Sequence, residues 1–479
     1  MRYRRSISIV LAWILAFSAF ALPVRAQEDN KPNGQNVPVS ASGCSGLDAA
    51  SSYLGPVKIS DNMGAAVLFE PKSETMMFSQ NPDAKMYPSS LVKILTALIA
   101  VEKGNPAEII TVQQAVLDTV YYGAASADLV AGEQISLGDL IYCMMVGSAN
   151  DAAAVIADHI AGSQTAFVEM MNQYAADFGC TGTQFKNVHG LHNDEQYTTA
   201  RDMAKIVCAA VKNEEFLKYF SAIKYTVPAT NKTAEPRDLS SQNFLMNSEK
   251  MEIYFDERAT GGRTGITETG LRCLATLAEN NGMQLISIVM DAKSTEDDRG
   301  NTSVYGSFNE TKLLLDAGFN GYTVVQTLYK DQVLKQMPVK NGSNDLMVGS
   351  TDSAYSVLPS GTKMSDLTYR FINEPQTLEA PIQVGEPISY VQVWHGNLCV
   401  GQAELVAVNT VCEQTSAEAP KELVLSQADD NNTILIIVLI VVGAVAVVWG
   451  VRYGRPIYVR MRKKRLQEQR RNRRRSRDG

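Results

Sequence analysis

The chain predicts an α+β fold, and three features predict it. Segments with apolar residues at helical spacing crowd between residues 90 and 211. Two strongly β-forming segments follow, Leu271–Ala278 and Gln284–Asp291, joined by the hairpin signal Asn280-Asn281-Gly282. After Phe319 helical spacing stops, and short β-like runs alternate with turn residues. An antiparallel sheet with helices, followed by a small all-β domain, fits this order.

Arg2, Arg4 and Arg5 precede the apolar run Ile7–Leu22, and Val24-Arg25-Ala26 places small residues where a signal peptidase reads. Residues 1–26 therefore read as a signal peptide. Cys44 lies too far from that run for a lipid-modified cysteine. Residues 27–57 are polar and rich in Ser, Gly and Asn, as in a linker. Gly64–Phe69 and Glu74–Phe78 are short strands, with Pro71-Lys72-Ser73 turning between them.

Pro88, Ser89 and Ser90 then stop one segment and start a helix whose apolar positions are Leu91, Val92, Leu95, Leu98 and Ile99. A second helix opens at Ser136, an N-cap with Asp139 three residues on, and carries the stripe Leu140, Ile141, Met144 and Met145. Gly147 ends it. Ser148-Ala149-Asn150 connects to a helix over Asp151–Ala161, and further helices are predicted over Thr165–Phe178 and Arg201–Val211. Residues 182–199 read as loop and Tyr225-Thr226-Val227 as a strand. Gly261-Gly262-Arg263-Thr264-Gly265-Ile266-Thr267 leads into the strand hairpin, and Thr311–Ala317 is helical.

The first globular domain is thus expected over 58–318 and the β domain over 319–412. The β domain's runs are Tyr322–Leu328, Asp345–Val348, Leu367–Phe371, Ile388–Trp394 and Ala403–Val408. Residues 413–432 form a polar stalk. Thr433–Val451 is apolar and uncharged, long enough to span a bilayer as a transmembrane helix. Arg452, Arg455, Arg460, Arg462, Lys463, Lys464 and Arg465 follow at once, so the positive-inside rule puts the basic tail, 452–479, in the cytoplasm.

Charge is unevenly placed. The net charge is −7, yet residues 1–26 carry +4 and residues 452–479 carry +11, leaving −22 for the middle. An acidic body argues against nucleic acid as a partner. The seven cysteines are an odd count for an exported chain. Cys143, Cys208 and Cys273 lie in apolar segments and read as buried small side chains, whereas Cys399 and Cys412 flank a strand and are candidates to pair. There is no CxxC, and His159, His189, His192 and His395 show no metal-ligand spacing, so neither a metal nor a cofactor is called for.

The chemistry centres on Ser90 and Lys93, one helical turn apart on one face. In an apolar setting the ammonium is disfavoured, so the amine accepts the serine proton. The helix N-terminus supplies N–H groups where an oxyanion would form. Ser-x-x-Lys alone is equally an N-cap serine beside a snorkelling lysine, and about one or two chance copies are expected in such a chain. Ser360-Gly361-Thr362-Lys363 is one, set in a turn. What separates the first copy is its company: Ser148-Ala149-Asn150 in an interhelical loop and Arg263-Thr264-Gly265 ahead of a hairpin. Each has decoys, namely Ser241-Gln242-Asn243, Ser307-Phe308-Asn309 and Lys232-Thr233-Ala234.

In that order and setting the three clusters resemble the S-x-x-K, S-x-N and K-T-G set of the serine penicillin-binding proteins. The resemblance is to the D-alanyl-D-alanine carboxypeptidases of peptidase family S11. Pro88-Ser89-Ser90-Leu91-Val92-Lys93 is similar to that family's P-A-S-L-T-K, and Ser148-Ala149-Asn150-Asp151-Ala152 to its S-G-N-D-A. Val188-His189-Gly190-Leu191 and Gln196-Tyr197-Thr198-Thr199-Ala200-Arg201-Asp202-Met203 resemble its H-G-L…Y-S-T-A-R-D-M segment. Pro381-Ile382-Gln383-Val384-Gly385-Glu386-Pro387 resembles its C-terminal β domain.

The resemblance implies a serine β-lactamase/DD-peptidase-like domain and a set of roles. Ser90 is the nucleophile, Lys93 its base and Ser148 a proton relay. Asn150 holds the substrate amide and Lys93. Arg263 and Thr264 hold the terminal carboxylate, with Gly265 beside them, and the N–H groups of Ser90 and Ile266 form the oxyanion hole. Its substrates are peptidoglycan stem peptides, β-lactams are inhibitors, and the cytoplasmic membrane is the site of work. Arg263 departs from the family's usual lysine: an Arg fork suits a carboxylate but stays protonated. A serine β-lactamase, and a catalytically weak wall-binding or sensing protein of the same fold, remain as alternatives. His189 reads as a loop histidine held by local hydrogen bonds.

Overall fold

A computed structural model describes residues 62–296 and 302–414. Its centre is a five-stranded antiparallel sheet in the order Thr75–Gln80, Ala65–Glu70, Met283–Ala292, Arg272–Asn280, Ala259–Ile266. Period-two alternation feeds two cores. Ala65, Val67, Phe69, Ala275, Leu277, Ile286, Ile288 and Met290 face a large helical core. Ala66, Leu68, Ala278, Leu285 and Val289 face the other way, against Leu314 and Leu315 of the helix Gly306–Gly321. Burial on both faces is why these strands read as continuous apolar runs. Asn281 and Gly282 both adopt positive φ, 50° and 77°, as a two-residue hairpin turn requires.

The large core is built by the helices Val92–Lys103, Leu137–Met145, Asn150–Ala161, Gln164–Asp177, Ala200–Ala210 and Glu214–Phe220. Ser136 caps its helix as expected, its side chain accepting from the Asp139 N–H. Val92–Lys103 is the central helix: Val92 to Ala100 are buried without a break, so solvent propensity has no part in placing it.

Two expectations need correction here. Arg263-Thr264-Gly265 does precede the hairpin, but it is itself part of the sheet: it lies within the edge strand Ala259–Ile266, paired with Arg272–Asn280. The glycines of this strand mark close approach: a Cβ on Gly261 would stand 2.6 Å from the Phe220 ring. Cys399 and Cys412 are thiols, not a disulfide, whereas Cys208 is disulfide-bonded rather than a simple buried thiol.

Beyond Gly321, a second five-stranded antiparallel sheet runs in the order Val333–Met337, Leu346–Ser350, Leu398–Ala407, Pro387–His395, Leu367–Ile372. Tyr322–Leu328 pairs with Ala354–Pro359. Leu328, Leu346, Val348, Leu358, Val391, Val393 and Leu405 fill its core. Val333–Met337 and Ala354–Pro359 escaped the sequence reading, the one for its Lys-Gln interruption and the other for its terminal proline.

No helix among the described residues is long and apolar enough to cross a membrane. The expected signal peptide, linker, span at 433–451 and tail lie outside the described residues, as does the stalk beyond Gln414.

Candidate active site

Pro88 caps a single 3₁₀ turn, Ser89–Leu91, that runs straight into the helix Val92–Lys103. Ser90 therefore sits one turn ahead of the α-helix proper, and Lys93 falls beneath it. Lys93 is wholly buried, and its nitrogen has three partners: Asn150 Oδ1 at 2.7 Å, the His189 carbonyl at 2.5 Å and Ser90 Oγ at 3.2 Å. Burial pushes the amine well below the ordinary lysine range. The Arg263 cation adds to that, and Asp151 opposes it. A neutral amine donates to two of these acceptors and turns its lone pair on the third; the shorter contacts to Asn150 and His189 leave Ser90 as the third.

Asn150 is the first residue of its helix, and Ala149 stands at the N-cap. Its N–H and its Nδ2 both donate to the Ala125 carbonyl, at 2.8 and 2.9 Å. Next to it, the buried Asp151 carboxylate accepts from Ser126 Oγ and from the N–H groups of Ala127 and Leu129. One helix N-terminus thus fixes both the amide that orients Lys93 and the loop over residues 125–129.

Ser148 holds a left-handed backbone, φ 63°. Its Oγ accepts from Arg263 Nη2 at 2.6 Å, while Arg263 Nη1 donates to the Met145 carbonyl at 2.8 Å and Nε to the Ser90 carbonyl at 3.4 Å. The guanidinium is buried, which lowers its pKa to about 10, so it stays positive at neutral pH. His189 is also buried; desolvation, then Lys93, pushes its imidazole down to about 3 and keeps it neutral. Its Nδ1 accepts from the Leu191 N–H, the local tie expected of it.

The edge strand also orients the backbone beside Ser90. The Thr267 N–H bonds the neighbouring strand at Leu271, so by antiparallel alternation the Ile266 N–H points away from the sheet. The strand passes so close to the nucleophile that a Cβ on Gly265 would stand 3.1 Å from the Ser90 nitrogen and 2.1 Å from Ser89 Oγ. Gly190, at φ 87°, presses from another element: a Cβ there would lie 1.9 Å from the Ser89 carbonyl.

A cleft of about 610 Å³ joins Ser90, Ser148, Asn150, Arg263, Thr264, Gly265 and Ile266. Of the predicted site residues Lys93 alone does not line it, lying buried against Ser90. Sequence reasoning missed the His189 carbonyl and the Asp151 anchor as working parts, although both lie in segments that carry the family resemblance. Of the decoys, Ser241 accepts from the Asn243 N–H within its own loop, leaving Gln242 between them on the cleft lining, and Ser360–Lys363 is a turn with Gly361 at φ 89°. Among the described residues no His/Cys/Asp/Glu group is arranged to hold a metal.

A serine backed by a buried lysine, beside an edge strand carrying a cation, defines a serine acyl-transfer hydrolase. Comparison narrows the class. Residues 56–294 match the D-alanyl-D-alanine carboxypeptidase family, peptidase S11, and residues 322–413 match the C-terminal domain of penicillin-binding protein 5. The chain is 29% identical over 356 residues to the D-alanyl-D-alanine carboxypeptidase DacA of Haemophilus influenzae, covering 72% of this chain and 84% of that one. It is 29% identical over 331 residues to DacF of Bacillus subtilis, 68% of this chain and 79% of the relative. The crystal structure of penicillin binding protein 5 from Haemophilus influenzae superposes with a TM-score of 0.64 at 28% identity, over 75% of this chain and all of that one. The chain belongs to the D-alanyl-D-alanine carboxypeptidase family, with the mixed α/β fold and C-terminal β domain of penicillin-binding protein 5. It is a hydrolase of the penicillin-binding class, and the family implies a serine mechanism.

Proposed function

We propose that Ser90 and Lys93 carry the reaction on peptidoglycan stem pentapeptides. Ser90 Oγ attacks the carbonyl between the two terminal D-alanines as its proton passes to Lys93 Nζ. The oxyanion forms against the N–H groups of Ser90 and Ile266, where preorganised donors are worth most. The C–N bond then breaks, and the proton returns through Ser148 to the departing D-alanine nitrogen. Water attacks the Ser90 ester, with Lys93 again as base, and frees the shortened peptide. Asn150 holds the scissile amide region, and Arg263 with Thr264 receives the terminal carboxylate. Penicillins acylate the same oxygen.

The observation that carries this reading is the fully buried Lys93, 3.2 Å from Ser90 Oγ with its other contacts on Asn150 and His189. Release of D-alanine from a peptide ending in D-Ala-D-Ala tests it, with Ser90→Ala as control. Wild type releases D-alanine and takes up a fluorescent penicillin; Ser90→Ala does neither. A wild type that fails both assays sinks the reading.

We also propose that residues 58–318 act outside the cytoplasmic membrane, with residues 1–26 as the export signal and residues 433–451 as a single-pass anchor ahead of the basic tail. The apolar, uncharged run and the thirteen Lys/Arg after it support this. Ending the chain after residue 432 shifts the enzyme from the membrane fraction to the soluble fraction; retention in the membrane contradicts the anchor.

A further inference from the structure

The cleft continues past the catalytic groups to a rim that the hydrolysis of D-Ala-D-Ala does not use. The Tyr121 carbonyl accepts from the Ala124 N–H, and Gly123 has φ 92°, so residues 121–124 form a tight turn. That turn displays two aromatic rings: Tyr121, 63% exposed and lining the cleft, and Tyr122 at its tip, fully exposed. Neither ring meets another ring or a cation among the described residues.

Exposed aromatic rings cost hydration, and they are displayed here on a loop that is held, not loose. Ala125 is bonded twice to Asn150, and Ser126, Ala127 and Leu129 are gripped by Asp151. The lining also includes Gln242, an exposed uncharged amide. Tyrosine faces covering C–H surfaces, with an uncharged amide for hydroxyl and acetamido groups, are the complement of a pyranose ring rather than of a charged peptide. The cleft's continuity decides the occupant. A stem peptide whose end lies at Ser90 is tethered by its other end to an N-acetylated sugar, and Tyr121 lines the same cleft as Ser90.

We propose that Tyr121 and Gln242 form a saccharide subsite that receives the N-acetylated sugar carrying the stem peptide. The proposal rests on the Ser90 reaction above and adds a substrate preference to it: sugar-bearing peptide over bare peptide.

The test compares D-alanine release from two substrates, an N-acetylated tripeptide ending in D-Ala-D-Ala and a disaccharide pentapeptide. Wild type favours the second through a lower KM. Tyr121→Ala raises KM for the disaccharide substrate by about fivefold, on the scale of one aromatic stacking contact, with kcat unchanged. On the bare tripeptide the same variant stays within about twofold of wild type, a split that a disturbed loop does not produce. Tyr121→Phe keeps the preference, since it keeps the face. Equal kcat/KM for the two substrates in wild type overturns the proposal. So does an equal loss on both in Tyr121→Ala, which assigns the rings to loop order instead. Release from neither substrate in wild type would fail the Ser90 reading itself, a distinct outcome.

Discussion

The two sheets of this chain bury different things. Behind the first lies a helical core crossed by Lys93, Thr96, Asn150, Asp151, His189 and Arg263, all buried and polar. Inside the second, residues 322–414, the core is Leu, Val, Ile, Ala and Met, and the buried polar side chains are uncharged: Thr327, Ser350, Ser356, Ser389 and Gln392, with Thr327 and Ser356 hydrogen-bonded to one another at 3.0 Å. Buried polar groups carry a desolvation cost that apolar packing does not. The first region accepts that cost because Lys93 is useful only when water is excluded; the second has no such demand.

Lys93→Met breaks the contrast most sharply. D-alanine release should fall by about 10²–10⁴-fold, the usual contribution of a positioned base. The pH dependence follows from the lowered pKa: Lys93 must be neutral to act, so wild-type acylation falls as pH drops through that lowered value. His189, at about 3, adds nothing to the acid limb above pH 5 or so. Stability runs in the same direction. The folded state resists protonating Lys93, and the unfolded chain holds that proton up to about pH 10.4. Wild type therefore gains stability relative to Lys93→Met as pH rises toward that value. Denaturant melts at pH 7 and pH 9.5 measure the slope, and parallel curves would mean Lys93 is charged in the fold.

Arg263→Lys is the next step down. The cation survives and D-alanine release is preserved or raised, within a few-fold, because a lysine restores a group able to join a proton relay. A collapse in kcat would show that the three-way grip on Met145, Ser148 and Ser90 needs the guanidinium fork. The smallest effect on chemistry belongs to the other region. Leu405→Ala, in its apolar core, costs about 2–5 kcal/mol of stability to calorimetry, yet leaves kcat on a short peptide unchanged. A matching loss of kcat would tie the second sheet to the cleft.

The sequence showed what depends on spacing. Ser90 and Lys93 are one turn apart in any helix, Ser136 with Asp139 caps in any context, and Asn281-Gly282 turns wherever two strands flank it. It hid what depends on approach. The Arg263 segment read only as a lead-in to the hairpin and not as a strand, because its glycines serve the approach of Phe220 and Ser89, which come from elsewhere in the chain. The His189 carbonyl that bonds Lys93 belongs to the backbone, which every residue shares. Cys208 was indistinguishable from its buried fellows, since a cysteine's partner is a matter of distance.

The squeeze on Ser89 has a consequence for variation. Gly190 and Gly265 press on it from two elements, leaving room for a hydrogen and nothing more. In a saturation library selected for penicillin labelling, both columns should come out empty except for glycine, while the exposed Glu268, three residues from Gly265, tolerates many replacements. The nucleophile's aim is thus written partly in two positions that carry no side chain at all.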